Sequence, residues 1–88
     1  MWYVYILKCR NNALYTGITT NLEERFKAHA TGRGARFTRS FKPTRMLFSE
    51  EHPSKSSALA REAFIKKLPR EKKIEMIKAG AKHRKREM

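Results

Sequence analysis

Two short runs of strand-forming residues joined by a turn open the chain, and this hairpin restricts the available folds more than any other feature. Residues 2 to 8 place apolar and aromatic side chains almost without interruption, from Trp2 to Leu7. Leu14 to Thr20 is β-branched and aromatic, and Asn11 and Asn12 between the runs supply turn chemistry. A two-stranded ribbon is not stable alone, so the rest of the chain must provide further strands or covering helices.

It offers both. Asn21 can cap a helix with Glu24 three residues on, and Leu22, Phe26 and Ala30 recur at helical spacing before Gly32. The first helix is therefore expected from about Leu22 to Thr31, with its apolar stripe against the sheet. Residues 32–42 mix Arg33, Arg36 and Arg39 with Phe37 and Phe41 and hold no sustained period. They read as a basic loop with at most one helical turn. Thr44 to Ser49 reads as a third strand, closed by Glu50-Glu51-His52-Pro53. Ser54 and Ser56 can cap a second helix to about Leu68. Pro69 breaks the pattern, and a last helix runs from Arg70 to Ala79 with Gly80 as its stop. The order β-β-α-β-α-α makes an α+β fold, a three-stranded antiparallel sheet with flanking helices.

The 88 residues suffice for one domain with one core. No run approaches the about 20 apolar residues of a membrane span, and Trp2 to Leu7 lacks the basic leader and cleavage site of a signal peptide, so a cytoplasmic protein is expected. Cys9 is the single cysteine, which excludes an internal disulfide or a thiolate metal cluster. Twenty-one Lys and Arg against eight Asp and Glu give a net charge of +13. Repulsion on that scale points to a polyanionic partner, nucleic acid first.

Tyr3-Val4-Tyr5 in the first strand and Tyr15-Thr16-Gly17 in the second reproduce a tyrosine-ended tripeptide followed about ten residues later by a tyrosine-led one. Arg25 comes ten residues after Tyr15, His29 one helical turn later, and Glu62 lies inside the second long helix. With these residues the chain resembles the GIY-YIG nuclease superfamily, over Tyr3 to about Leu68. Its length and the Gly-Ala-Arg-Phe-Thr-Arg segment at 34–39 are similar to the small stand-alone bacterial proteins of that superfamily, themselves similar to the catalytic domains of flap and junction endonucleases. A domain of this type is expected over 1–80, and the charged run that follows Gly80 reads as a basic flexible tail over 81–88. The resemblance departs in two places: Tyr3 stands where the motif has glycine, and no asparagine follows Asn21, where members commonly place one after the glutamate helix. These departures bear on rate and substrate rather than on fold.

The resemblance also implies roles. Tyr5 would act as general base on the attacking water, and Tyr15 would help to orient it. Arg25 would brace the scissile phosphate, and His29 would position it or relay a proton. Glu62 would hold a single Mg²⁺ or Mn²⁺. A phenol titrates near 10, so the site must lower that value or pass the proton onward, and nearby cations, Lys8 among them, would favour phenolate. Tyr5 and Tyr15 share a face only if directly paired residue numbers add to an even sum, as a three-residue loop or a bulge gives. A tight Asn11-Asn12 turn would separate them. The bland alternatives are tyrosines that only pack, a surface Arg25 and His29, and a Glu62 in mid-stripe paired with Arg25 or a lysine.

Arg33, Arg36, Arg39, Lys42 and Arg45 could grip backbone phosphates, with Lys66, Lys67, Arg70, Lys72, Lys73 and the 82–86 cluster as a second set. Phe37 or Phe41 could stack on an exposed base or cover the core, the latter being the expectation for Phe41. No recognition helix or zinc spacing is visible, which favours recognition of DNA shape over sequence. The functional expectation is a metal-dependent endonuclease acting on branched or flapped DNA in repair or recombination, a monomer that takes specificity from a protein partner where one is needed. The rivals are a non-cutting nucleic-acid-binding module of the same fold and an RNA- or ribosome-associated protein.

Overall fold

The computed structural model describes the backbone of residues 1–87 and the side chains of residues 1–80. Its elements are β1 (Trp2–Cys9), β2 (Leu14–Thr19), α1 (Leu22–Ala30), α2 (Arg36–Ser40), β3 (Pro43–His52), α3 (Lys55–Lys67) and α4 (Arg70–Glu87). The three strands form one antiparallel sheet in the order β2-β1-β3, with helices on both faces. The single turn allowed for in the basic loop is the five-residue helix α2, and the last helix passes Gly80 instead of stopping there. Gly80 has no left-handed φ, and a Cβ there would meet the Phe48 ring at an ordinary contact distance, so neither backbone nor packing ends the helix at this glycine. The expected flexible tail at 81–88 falls where side chains lie outside the described residues.

Hairpin geometry follows the even-sum rule. Tyr5 pairs with Gly17 and Leu7 with Tyr15, because the loop holds three residues. Asn12 donates to Cys9 O at 2.8 Å and sits at φ 67, while Cys9 donates to Ala13 O at 2.9 Å. This is a turn followed by a left-handed residue, a conformation asparagine tolerates. Tyr5, Leu7, Tyr15 and Gly17 therefore share one face, and Val4, Ile6, Thr16 and Ile18 the other. On β3 the register slips between its pairs with Ile6 and Leu7, leaving Leu47 as the extra residue of a bulge.

The apolar core occupies the second face, where Val4, Ile6 and Phe48 meet Ala58 and Ile65 of α3, with Trp2, Leu14, Ile18, Met76 and Ile77 around them. The first face is also closed, by α1 and α2, but over a more polar set: Tyr5, His29 and Thr38 are buried there beside Leu7 and Cys9. Helices α1 and α3 begin as expected. Asn21 accepts from Glu24 N at 3.0 Å, and Ser54 from Ser57 N at 3.2 Å. α1 ends at Gly32, φ +82, with Gly32 donating to His29 O and Arg33 to Ala28 O. Glu50 on β3 accepts from Arg61 at 2.7 Å and meets His52 at 2.9 Å, and His52 meets Ser57 at 2.7 Å, which ties α3 to the sheet. No helix among the described residues is long and apolar enough to cross a membrane.

Candidate active site

The site lies where the Tyr5 ring crosses the edge strand β2. Tyr5 is 1% exposed, and its ring passes directly over Gly17: a Cβ there would stand 2.5 Å from Oη and 2.7 Å from Cζ. Glycine at 17 is thus a steric requirement for the position of the Tyr5 hydroxyl. That hydroxyl lies 2.8 Å from Nε2 of His29, which is 0% exposed, and Nδ1 of His29 lies 2.6 Å from Thr38 Oγ1. Thr38 Oγ1 in turn donates to Ala35 O at 3.0 Å.

The protons along this chain can be assigned. Thr38 spends its one hydroxyl hydrogen on Ala35 O, so it accepts from His29 Nδ1–H. With Nδ1–H given to Thr38, Nε2 is left as the acceptor of the ring, so the Tyr5 hydrogen is directed to it. The tautomer is Nδ1 protonated, Nε2 accepting. Gly34 completes the pocket, since a Cβ there would overlap Nδ1, Cγ and Cε1 of His29.

Titration follows from these surroundings. Burial pushes Tyr5 above its usual value of 10.0, against the pull of the neighbouring Arg25, with Tyr15 and Glu62 adding to the rise. The expectation that cations would favour phenolate is therefore overturned: desolvation outweighs them. Lys8 also falls on the opposite face of β1 from Tyr5, and the cation beside the phenol is Arg25. Burial and, secondarily, Arg25 lower His29 to about 4. At neutral pH the pair is a neutral phenol donating to a neutral imidazole.

Tyr5, Tyr15, Arg25, His29 and Glu62 come together. Tyr15 packs edge-on against His29, ring centroids 5.1 Å apart, and Glu62 stands near enough to Tyr5 to raise its pKa. Two expectations about the helices need correcting. Among the described residues of α1 the buried one is His29, not the Leu22-Phe26-Ala30 stripe, because Tyr5 and Thr38 satisfy both ring nitrogens. Leu22 and Phe26 instead line an open apolar hollow of about 730 Å³ with Thr44, Arg45 and Met46. Glu62 sits not in mid-stripe but at its border, with Ala58 and Ile65 buried and Leu59 44% exposed. Its side chain is 17% exposed and Oε2 lies 3.3 Å from Lys66 Nζ, so the lysine pairing held open above is formed.

The basic residues divide. Arg33 lines a polar depression of about 430 Å³ with Thr19, Asn21, Glu24 and Arg25. Arg36, Arg39 and Lys42 are exposed on and after α2, and Lys67 is exposed on α3. Arg45 lies on the other side of α1, at the apolar hollow, and Lys66 is engaged by Glu62. Phe41 does not cover the core; it is 41% exposed. Thr38, Gly34 and the steric role of Gly17 were not legible in the sequence. A buried threonine three residues after Ala35 in a basic segment carries no local signal.

The family model of the GIY-YIG catalytic domain matches residues 1–75. A UPF0213 protein of Clostridium perfringens is 49% identical over 77 residues, covering 88% of this chain and 83% of its own. A UPF0213 protein of Xanthomonas axonopodis pv. citri is 46% identical over 78 residues, covering 89% and 76%. The solution NMR structure of a UPF0213 protein from Bacillus halodurans superposes with a TM-score of 0.58 at 41% identity, over 90% of this chain and 85% of that one. The chain that carries the paired tyrosine tripeptides on β1 and β2 is thus similar over most of its length to UPF0213 proteins and belongs to the GIY-YIG catalytic-domain family.

Proposed function

We propose that the protein is a divalent-metal-dependent DNA endonuclease that hydrolyses phosphodiesters at branched, flapped or otherwise non-duplex sites, in repair or recombination. The observation that carries this reading is the directed hydrogen-bond chain from Tyr5 through His29 to Thr38, set beside Arg25 and Glu62. Any buried phenol needs a partner; a packing tyrosine does not also need an arginine and a carboxylate close enough to act on its titration. Here the phenol is poised to receive a proton on its oxygen while its own leaves along a fixed path.

In the proposed step an attacking water loses a proton to Tyr5 Oη as the Tyr5 proton passes to His29 Nε2, leaving neutral tyrosine and an imidazolium held by Thr38. The hydroxide forms the new bond to phosphorus, the bond to the leaving oxygen breaks, and that oxygen takes a proton from solvent. Burial and, secondarily, Arg25 make His29 a weak base; an incoming phosphate offsets the arginine's charge and so removes the smaller of the two effects. Arg25 braces the phosphate and the additional charge of the transition state. Among the described residues no three His, Cys, Asp or Glu side chains are gathered as a metal cage, and both nitrogens of His29 are engaged. One carboxylate with phosphate oxygens and water suits a hard ion such as Mg²⁺ or Mn²⁺. Glu62 would hold that ion, which when bound supplies charge at the phosphate and the leaving group. Lys66 must then release it.

That ion pair is what favours the second reading, a binding module of the same fold in which Glu62 stays neutralised and nothing is cut. Cleavage of labelled flaps, junctions, single strands and duplexes with Mg²⁺ or Mn²⁺ separates the two. Tyr5→Phe, Arg25→Ala and Glu62→Ala are each expected to lower the rate about 100-fold or more. Equal rates for the parent and all three variants would refute catalysis by this site.

A further inference from the structure

We propose that Phe37 and Phe41 form a stacking platform for an unpaired base of the DNA strand bound at the site. The proposal rests on the nuclease reading for the identity of the strand, but not for the platform's geometry. Phe37 is 39% exposed and Phe41 41%, two large apolar rings side by side on a protein of strongly positive charge. Their centroids are 5.4 Å apart, and Phe37 lies nearly parallel to Tyr15, 6.2 Å away at 12°. The rings therefore continue from a residue of the site itself out to solvent.

What lies beneath makes the platform firm. Thr38, between the two phenylalanines, is fully buried, and its hydroxyl joins His29 to Ala35 O. The α2 helix is thus pinned to the same histidine that receives the Tyr5 hydrogen bond. A base on the rings would be held in register with the reacting phosphate by side-chain contacts rather than by a loose loop.

What surrounds it names the occupant. Arg33, Arg36, Arg39 and Lys42 are exposed around the rings in sequence, and none forms an ion pair among the described residues. An apolar protein surface would have to cover these cations without neutralising them. A strand of DNA satisfies both features, since its base offers a flat aromatic face and its phosphates the negative charge. A base within continuous duplex cannot present that face without unstacking, so the platform selects flaps, gaps and single-strand junctions.

The test is equilibrium binding in EDTA, where nothing is cut, of a flap DNA carrying 2-aminopurine at the unpaired nucleotides next to the junction, with a matched duplex alongside. The parent protein is expected to quench one of these positions. Phe37→Ala and Phe41→Ala are expected to weaken flap binding about tenfold and to abolish the quench, with duplex binding unchanged. Phe37→Trp should retain both. Phe41→Ala does not touch Tyr15, so it separates loss of the platform from disturbance of the site, and thermal melting confirms that each variant folds. Flap binding and quenching equal to the parent in both alanine variants would overturn the proposal. Tighter, equally Phe-dependent binding of the matched RNA would overturn the assignment to DNA. Quenching without any cleavage when Mg²⁺ is restored leaves the platform standing and removes the nuclease reading; cleavage of flaps by both alanine variants at the parent rate does the reverse.

Discussion

Gly17→Ala is the sharpest test of the packing described above. The added Cβ would stand 2.5 Å from Tyr5 Oη, where ordinary contact begins at 3.4 Å, so the phenol must retreat by about 0.9 Å. The ring is buried and held by a 2.8 Å bond to His29, which a shift of that size can stretch past the about 3.5 Å limit of a useful hydrogen bond. Overpacking costs about 1 to 3 kcal/mol, and leaving a buried imidazole nitrogen without its donor a similar amount. The two overlap, because one movement causes both, so a net loss of about 2 to 4 kcal/mol is expected. For a domain of this size each kcal/mol lowers the melting temperature by about 4 to 8 °C, so the midpoint should fall by at least about 8 °C. Thermal unfolding of the parent, Gly17→Ala, Tyr5→Phe and the double variant measures it. Tyr5→Phe removes the nearest atom but leaves Cζ at 2.7 Å, so the double variant should lose less than the two single losses added together. A Gly17→Ala midpoint within about 2 °C of the parent, or strict additivity in the cycle, would refute the reasoning.

Thr38→Val removes the acceptor of His29 Nδ1–H and should cost about 1 to 3 kcal/mol, whereas Thr38→Ser, which keeps the hydroxyl, should cost less; nitrogen-15 shifts of the ring report whether Nδ1 stays protonated. His29 is lowered from 6.5 to about 4 in the folded chain, so the unfolded chain takes up the proton first. Stability from this group is whole above pH 6.5 and falls as pH drops toward 4, by up to about 1.4 kcal/mol per pH unit, and an NMR midpoint for His29 of 6 or above would contradict it. Thr16 Oγ1 is buried without a partner, so Thr16→Val should raise the melting temperature, and a lowered one would show that the hydroxyl is satisfied. Binding of duplex DNA should weaken by about 0.9 log units per log unit of salt for each phosphate neutralised, and a flat salt profile would exclude a phosphate-gripping surface.

Much of the fold could be read from neighbours in the chain. The alternation of Trp2 to Leu7, the Asn11-Asn12 turn, the Asn21 and Ser54 caps and the Pro69 break each act over four residues or fewer, and each element appears where those signals put it. The shared face of Tyr5 and Tyr15 was also accessible, because strand parity turns it into a statement about loop length, and the loop holds three residues. The end of α4 was misjudged because a glycine ends a helix only when it takes a left-handed conformation, and Gly80, unlike Gly32, does not.

The chain's order alone pointed to the candidate side chains, since motif spacing is a property of sequence. It could not settle their state. Whether Tyr5 is held as phenol or phenolate depends on how much water α1 and α2 exclude, and the answer reverses the sign expected from charge. The tautomer of His29 depends on a threonine nine residues away and on a tyrosine twenty-four away. Glu62 stands at the rim of its helix stripe, and Phe37 and Phe41 in solvent, because of where α2 and α3 come to rest on the sheet. Propensity and period act between neighbours along the backbone. Desolvation, proton placement and steric fit arise between atoms that only packing brings together, and these properties exist only in the assembled molecule.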